Sequence, residues 1–116
     1  MMEDTTYTER EGKIIIHARG EWHLGNIREI ETMMNAILEK NPSLIGINCK
    51  DLTAIDSTAI ASFVKLLRKS KEQDIKLIFF DLNPHIQHTF QLMTLDKFFT
   101  TLSRETFEKE FGPIDD

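Results

Sequence analysis

The stretch Leu44-Ile45-Gly46-Ile47-Asn48-Cys49 constrains this chain more than any other: a short, nearly continuous apolar run between the Asn41-Pro42 turn and the charged pair Lys50-Asp51. A strand with one wet face alternates apolar and polar residues. A run without alternation hides both faces, as a central strand does when other layers cover its sheet on both sides. Such a strand needs neighbours to pair with and helices to cover it, and the flanking sequence supplies both.

Upstream, β-branched Ile14, Ile15 and Ile16 mark a strand over 13–19, with Gly12 turning into it, Gly20 stopping it, and an extended piece at Thr6–Arg10 positioned to form a hairpin. Ile27, Ile30, Met34, Ile37 and Leu38 recur at helical spacing, with Asn26 as N-cap and Glu29 at N3. Downstream, a second helix starts at Ser57 or Thr58. Its apolar residues Ala59, Ile60, Phe63, Val64 and Leu67 predict the buried face, leaving Ser57, Ala61, Lys65 and Arg68 on the other. Ile75–Phe80 reads as a strand, Asn83-Pro84 opens a short helix carrying Ile86, Phe90 and Met93, and Phe98–Leu102 reads as a last strand, both phenylalanines being assigned to the core. Ser103 caps a terminal helix with Phe107 and Phe111 one turn apart, ended by Gly112-Pro113.

This order predicts an α/β fold. One domain over 1–116 has a mixed, mostly parallel sheet of four to five strands with about four helices packed on it, and its ends at 1–5 and 113–116 are expected to fray. Right-handed crossovers then set the start of the second helix at the carboxyl end of the central strand.

Composition excludes several functions. Nineteen acidic against fourteen basic residues give a net charge of −5, and the only basic grouping is Lys65, Arg68, Lys69 and Lys71 at the end of the second helix. Nucleic acid is therefore not an expected partner, and those cations read as helix-end charges that meet water. No apolar run approaches a membrane span, and the acidic start Met1-Met2-Glu3-Asp4 is unlike an export signal, which predicts a cytoplasmic protein. The lone Cys49 precludes an internal disulfide. His17, His23, His85 and His88 form no metal motif, and neither a phosphate-binding glycine loop nor a GxSxG elbow occurs. The chain is expected to use no metal or cofactor and not to be an enzyme.

Ser57 follows Asp56 at a helix start, where a hydroxyl ordinarily caps. A phosphate there would meet free amides and the positive helix end, and would add about −1.5 to −2 of charge to a small-residue surface. The run Asp56-Ser57-Thr58-Ala59-Ile60 resembles the signature of the STAS domain family, the bacterial anti-sigma factor antagonists. The resemblance extends through Gly20-Glu21, Ile75–Phe80 and Asn83-Pro84. It implies a STAS-like fold and an antagonist that binds an anti-sigma factor serine kinase, releases a sigma factor, and is inactivated by phosphorylation of Ser57, with a serine phosphatase as a further partner. It also implies that Asp56 orients the site, that Thr58 lies beside the acceptor, and that Ala61, Lys65 and His23 help form the docking surface. Ala59 stands where the family usually has glycine, and His23 and Asn48 stand where it often has aspartate, so fewer acidic groups are expected around Ser57. That departure motivates an alternative, a constitutive adaptor in a signalling scaffold or transporter complex. A small-molecule cleft near His23, Asp56 and Ser57 is the reading from another class.

Overall fold

The computed structural model describes residues 4–114. Five strands, β1 (Thr6–Arg10), β2 (Lys13–Trp22), β3 (Leu44–Ile55), β4 (Lys76–Phe80) and β5 (Thr100–Leu102), form one sheet in the order of the chain. The hairpin β1–β2 is antiparallel and every other pair is parallel. Each parallel step is crossed by a helix: α1 (Ile27–Glu39), α2 (Ser57–Glu72) and α3 (Pro84–Leu92), the last followed by a short 3-10 turn at Leu95–Lys97. A final helix, α4 (Arg104–Phe111), closes the chain.

The non-alternating run in β3 is explained by what covers it. Ile45, Ile47 and Cys49 point into the main core with Ile14 and Ile16 of β2, Phe79 of β4, and residues of α1, α2 and α3. Leu44 points the other way, into a smaller cluster with Ile78, Phe80 and Phe107, to which Ile15, Phe111 and Ile114 also pack. Gly46 is on that second face because α4 lies so close: a Cβ there would sit 2.8 Å from Phe107 Cζ and 2.9 Å from Ile15 Cδ1. Aromatic rings fill the main core around Phe63, whose centroid lies 4.9 Å from Phe79 and 5.4 Å from Trp22.

Several expected boundaries move. Gly20 does not end β2; it takes φ +67° at a register irregularity, and the strand continues to Trp22 beside the long second half of β3. That half of β3 has no β4 partner, since pairing with β4 stops at Asn48. Asn83 substitutes for a strand there: its Nδ2 donates to the carbonyls of Cys49, Lys50 and Leu52 while its Oδ1 caps α3 at Ile86 N. The last strand is only Thr100–Leu102. Phe99 is buried, but Phe98, expected in the core, is 71% exposed because the 3-10 turn presents consecutive residues to opposite sides. Met93 is likewise exposed at the C-cap of α3.

The buried face of α2 is also rotated from the expected one, consisting of Ala59, Ser62, Phe63, Leu66 and Ser70. Val64 is 45% exposed, and Ile60 and Leu67 lie at the margin of the core. Of the ends expected to fray, Thr5 Oγ1 accepts from Trp22 Nε1 and from Arg19 N, and Ile114 packs on the small cluster; 1–3 and 115–116 lie outside the described residues.

Candidate partner-binding site

Two loops meet at the carboxyl end of β3: the turn from β3 into α2, and the connection from β2 to α1. Asp56 joins them. As N-cap of α2, with extended backbone, its Oδ1 accepts from Thr58 N at 3.0 Å and Ala59 N at 3.1 Å, and the Thr58 hydroxyl donates to the same oxygen. Its Oδ2 accepts from Leu24 N at 3.0 Å, and its backbone N–H donates to Trp22 O. The bonds to its carboxylate oxygens favour the ionised form. The Thr58 hydroxyl foremost, and then the amides of Ala59, Leu24 and Thr58, hold the Asp56 carboxyl below the ordinary carboxylate range. The cap is therefore Asp56, and Ser57 is the first helical residue, exposed, with a hydroxyl that makes no hydrogen bond among the described residues.

The β2–α1 connection is held by its own backbone. Asn26 was expected to cap α1 but its side chain turns back, accepting from His23 N and donating to Glu21 O, while the His23 carbonyl accepts from Asn26 N and Ile27 N. His23 Nδ1 accepts from Gly25 N, so its ring is committed to its own loop. What this loop offers beside Ser57 is Leu24, which is 74% exposed and is bonded through its amide to Asp56. Sequence reading did not single out Leu24. Its signal, an apolar residue before Gly25-Asn26, becomes meaningful only when the loop is brought against α2.

Along α2, Ser57, Ala61 and Val64 are exposed on one side. Lys65 lies off that line: its Nζ pairs with Glu31 Oε2 of α1 at 3.1 Å, and the same oxygen accepts from Ser62 Oγ at 2.6 Å. The structure thus brings Asp56, Ser57, Thr58 and Ala61 to one surface with the His23–Leu24 loop, and commits Lys65 to holding α1 and α2 together. Asn48 is not part of this surface; it lies beside His17 in the β2–β3 register, with its Oδ1 accepting from Lys50 N. Among the described residues, no group of three or more His, Cys, Asp or Glu side chains is placed to hold a metal ion, and no helix is long and apolar enough to cross a membrane.

Comparison with known proteins decides the family. The STAS domain model matches residues 5–110. The chain belongs to the STAS domain family. An anti-sigma factor antagonist from Mycobacterium paratuberculosis superposes on this STAS domain with TM-score 0.76 at 16% identity, covering 84% of this chain and 83% of that one. The anti-sigma factor antagonist SpoIIAA in its unphosphorylated form gives 0.75 at 16% identity, with 97% and 100% covered. SpoIIAA of Bacillus in its phosphorylated form gives 0.70 at 15%, with 92% and 98% covered. At these identities the likeness establishes the fold. No curated protein sequence matches this one.

The geometry narrows one expectation for this STAS domain. A phosphate on Ser57 is expected to find free amides at the start of α2; the Thr58 and Ala59 amides are taken by Asp56, and among the described residues the Ser57 amide makes no hydrogen bond. A phosphate would share that surface with a carboxylate held in its ionised form. It would concentrate negative charge at the start of α2, next to Asp56.

Proposed function

We propose that this STAS domain is an anti-sigma factor antagonist in a partner-switching pathway. It binds an anti-sigma factor serine kinase through the start of α2 and the His23–Leu24 loop, and phosphorylation of Ser57 ends that binding. One observation supports the reading above the others: the Ser57 hydroxyl is exposed and unbonded at the first position of α2, on a rigidly capped turn, amid the small or apolar residues Leu24, Ala61 and Val64. A partner covering this surface desolvates Ser57. A hydroxyl tolerates that, whereas a phosphate next to Asp56 does not, because two negative groups would be stripped of water together. The switch then acts on the docking surface itself and needs no rearrangement of the fold. In this reading the domain works by binding in the cytoplasm, without chemistry of its own.

The test is to incubate the protein with ATP and lysate of its own organism, then measure intact mass and map peptides, with Ser57→Ala and Ser57→Glu proteins alongside. The expected result is a single phosphate on Ser57 of wild type, a kinase identified by mass spectrometry with Ser57→Ala and with wild type kept unphosphorylated by omitting ATP, and its loss with Ser57→Glu. An unmodified protein whose complex tolerates Ser57→Glu would instead establish a constitutive adaptor.

A further inference from the structure

The outer face of α2 continues beyond the Ser57 site. Ser57, Ala61, Val64, Arg68 and Lys71 follow one another at intervals of four, three, four and three residues, and all five are exposed. That is the spacing of a helix–helix seam, running about 21 Å along α2 at 1.5 Å per residue. The first half of the seam is small and apolar and the second half is cationic.

The four cations at the end of α2 fall into two groups. Lys65 pairs with Glu31, and Lys69 Nζ donates to Asn35 Oδ1, so both knit α2 to α1. Arg68 and Lys71 make no hydrogen bond or ion pair among the described residues and lie in line with Ser57, Ala61 and Val64. Favouring the helix dipole accounts for cations in the last turn, namely Lys69 and Lys71; Arg68 lies one residue before that turn, on the seam. The charge is also set against the rest of the molecule: α2 carries four basic residues and one acidic residue in a chain of net charge −5.

We infer that this seam receives an acidic amphipathic helix of the partner, with apolar side chains against Ala61 and Val64 and carboxylates against Arg68 and Lys71. The inference rests on the proposed function and specifies the chemistry of the partner at the same surface. Charge complementarity selects this occupant. The net charge of the chain is −5 while α2 carries four basic residues and one acidic residue, so the cationic half of the seam favours the approach of an acidic partner there and sets its register. Phosphorylated Ser57 then opposes the same partner at the other end of the seam, like charge against like.

The test uses the kinase recovered with Ser57→Ala, purified, and measures its association rate with the full chain across a salt series. Three proteins are compared: wild type, Arg68→Glu/Lys71→Glu, and Lys97→Glu/Lys109→Glu, which makes the same change in net charge at exposed positions outside α2. At low ionic strength the α2 pair is expected to slow association about tenfold or more relative to the control pair, with the difference closing towards 1 M salt as the screening length falls to about 3 Å. Equal effects of the two pairs, no effect of either, or faster association of the α2 variant would each overturn the acidic-helix assignment. Ser57→Glu in the same series separates the two ideas. If it abolishes binding while the α2 pair changes nothing, the switch stands and this inference falls; if wild type binds no such kinase, both fall.

Discussion

Two serines on the buried face of α2 should respond to the same substitution with opposite signs. Ser62 is 2% exposed and donates to Glu31 Oε2 at 2.6 Å; Ser70 is fully buried, and its Oγ has no hydrogen-bond partner among the described residues. Replacing Ser62 by Ala removes a hydrogen bond to a charged group, a loss of about 1.5–3 kcal/mol. The low end applies because the Glu31 side chain keeps 30% of its exposure. Alanine's better helix propensity returns about 0.5 kcal/mol, so Ser62→Ala is expected to destabilise by about 1 kcal/mol. Ser70→Ala loses no bond and relieves a buried unsatisfied hydroxyl, worth about 1–3 kcal/mol, with the same propensity gain, so it is expected to stabilise by at least about 1 kcal/mol. Urea titration followed by circular dichroism reads both. With a slope near ~2 kcal/mol/M, the midpoints should move about 0.5 M in opposite directions with the slope unchanged. The Ser62 effect should also depend on pH. Ser62 is the largest cause holding the Glu31 carboxyl below its usual value of 4.5, and a depressed carboxyl contributes stability above that value and loses it as pH falls through the lowered one. The cost of Ser62→Ala should therefore be full at neutral pH and fade below 4.5. A lower midpoint for Ser70→Ala, or shifts of one sign for both variants, would refute this account of the α2 core.

Gly46→Ala should destabilise by about 1–3 kcal/mol, read in the same urea titration, because its new methyl meets Phe107 and Ile15 inside contact distance and must push α4 off the sheet; an unchanged midpoint would show that α4 is not pressed there. Asp56 should titrate below its ordinary value of 3.8, visible as coupled shifts of the Leu24, Thr58 and Ala59 amide resonances on acidification. The clamp it forms is then present above 3.8 and lost as pH falls through the lowered value, whereas a midpoint at or above 3.8 would mean that those hydrogen bonds do not form in solution.

Local chemistry wrote much of this protein into the sequence. The order of strands and helices, the both-sides-covered central strand, the cap at Asn83, and the placement of Ser57 at a helix start all follow from residues within a few positions of one another. The tertiary structure decided what depends on which surfaces meet. Periodicity puts Ala59, Ile60, Phe63, Val64 and Leu67 on one buried face of α2. The fold keeps Ala59 and Phe63, turns the face to take in Leu66 and two serines, and leaves Val64 on the seam. Phe98 and Phe99 are chemically identical, and only the 3-10 turn separates them into one exposed and one buried ring. The sequence offers the Ser57 hydroxyl as the cap of α2, whereas the fold gives that role to Asp56, whose grip on Leu24 spans 32 positions and exists only because β2 and β3 run parallel and end together. Periodicity and capping act over one or two turns, so the sequence itself determined the elements and the position of Ser57. Which side chains surround that serine was left to the packing of the sheet and its helices.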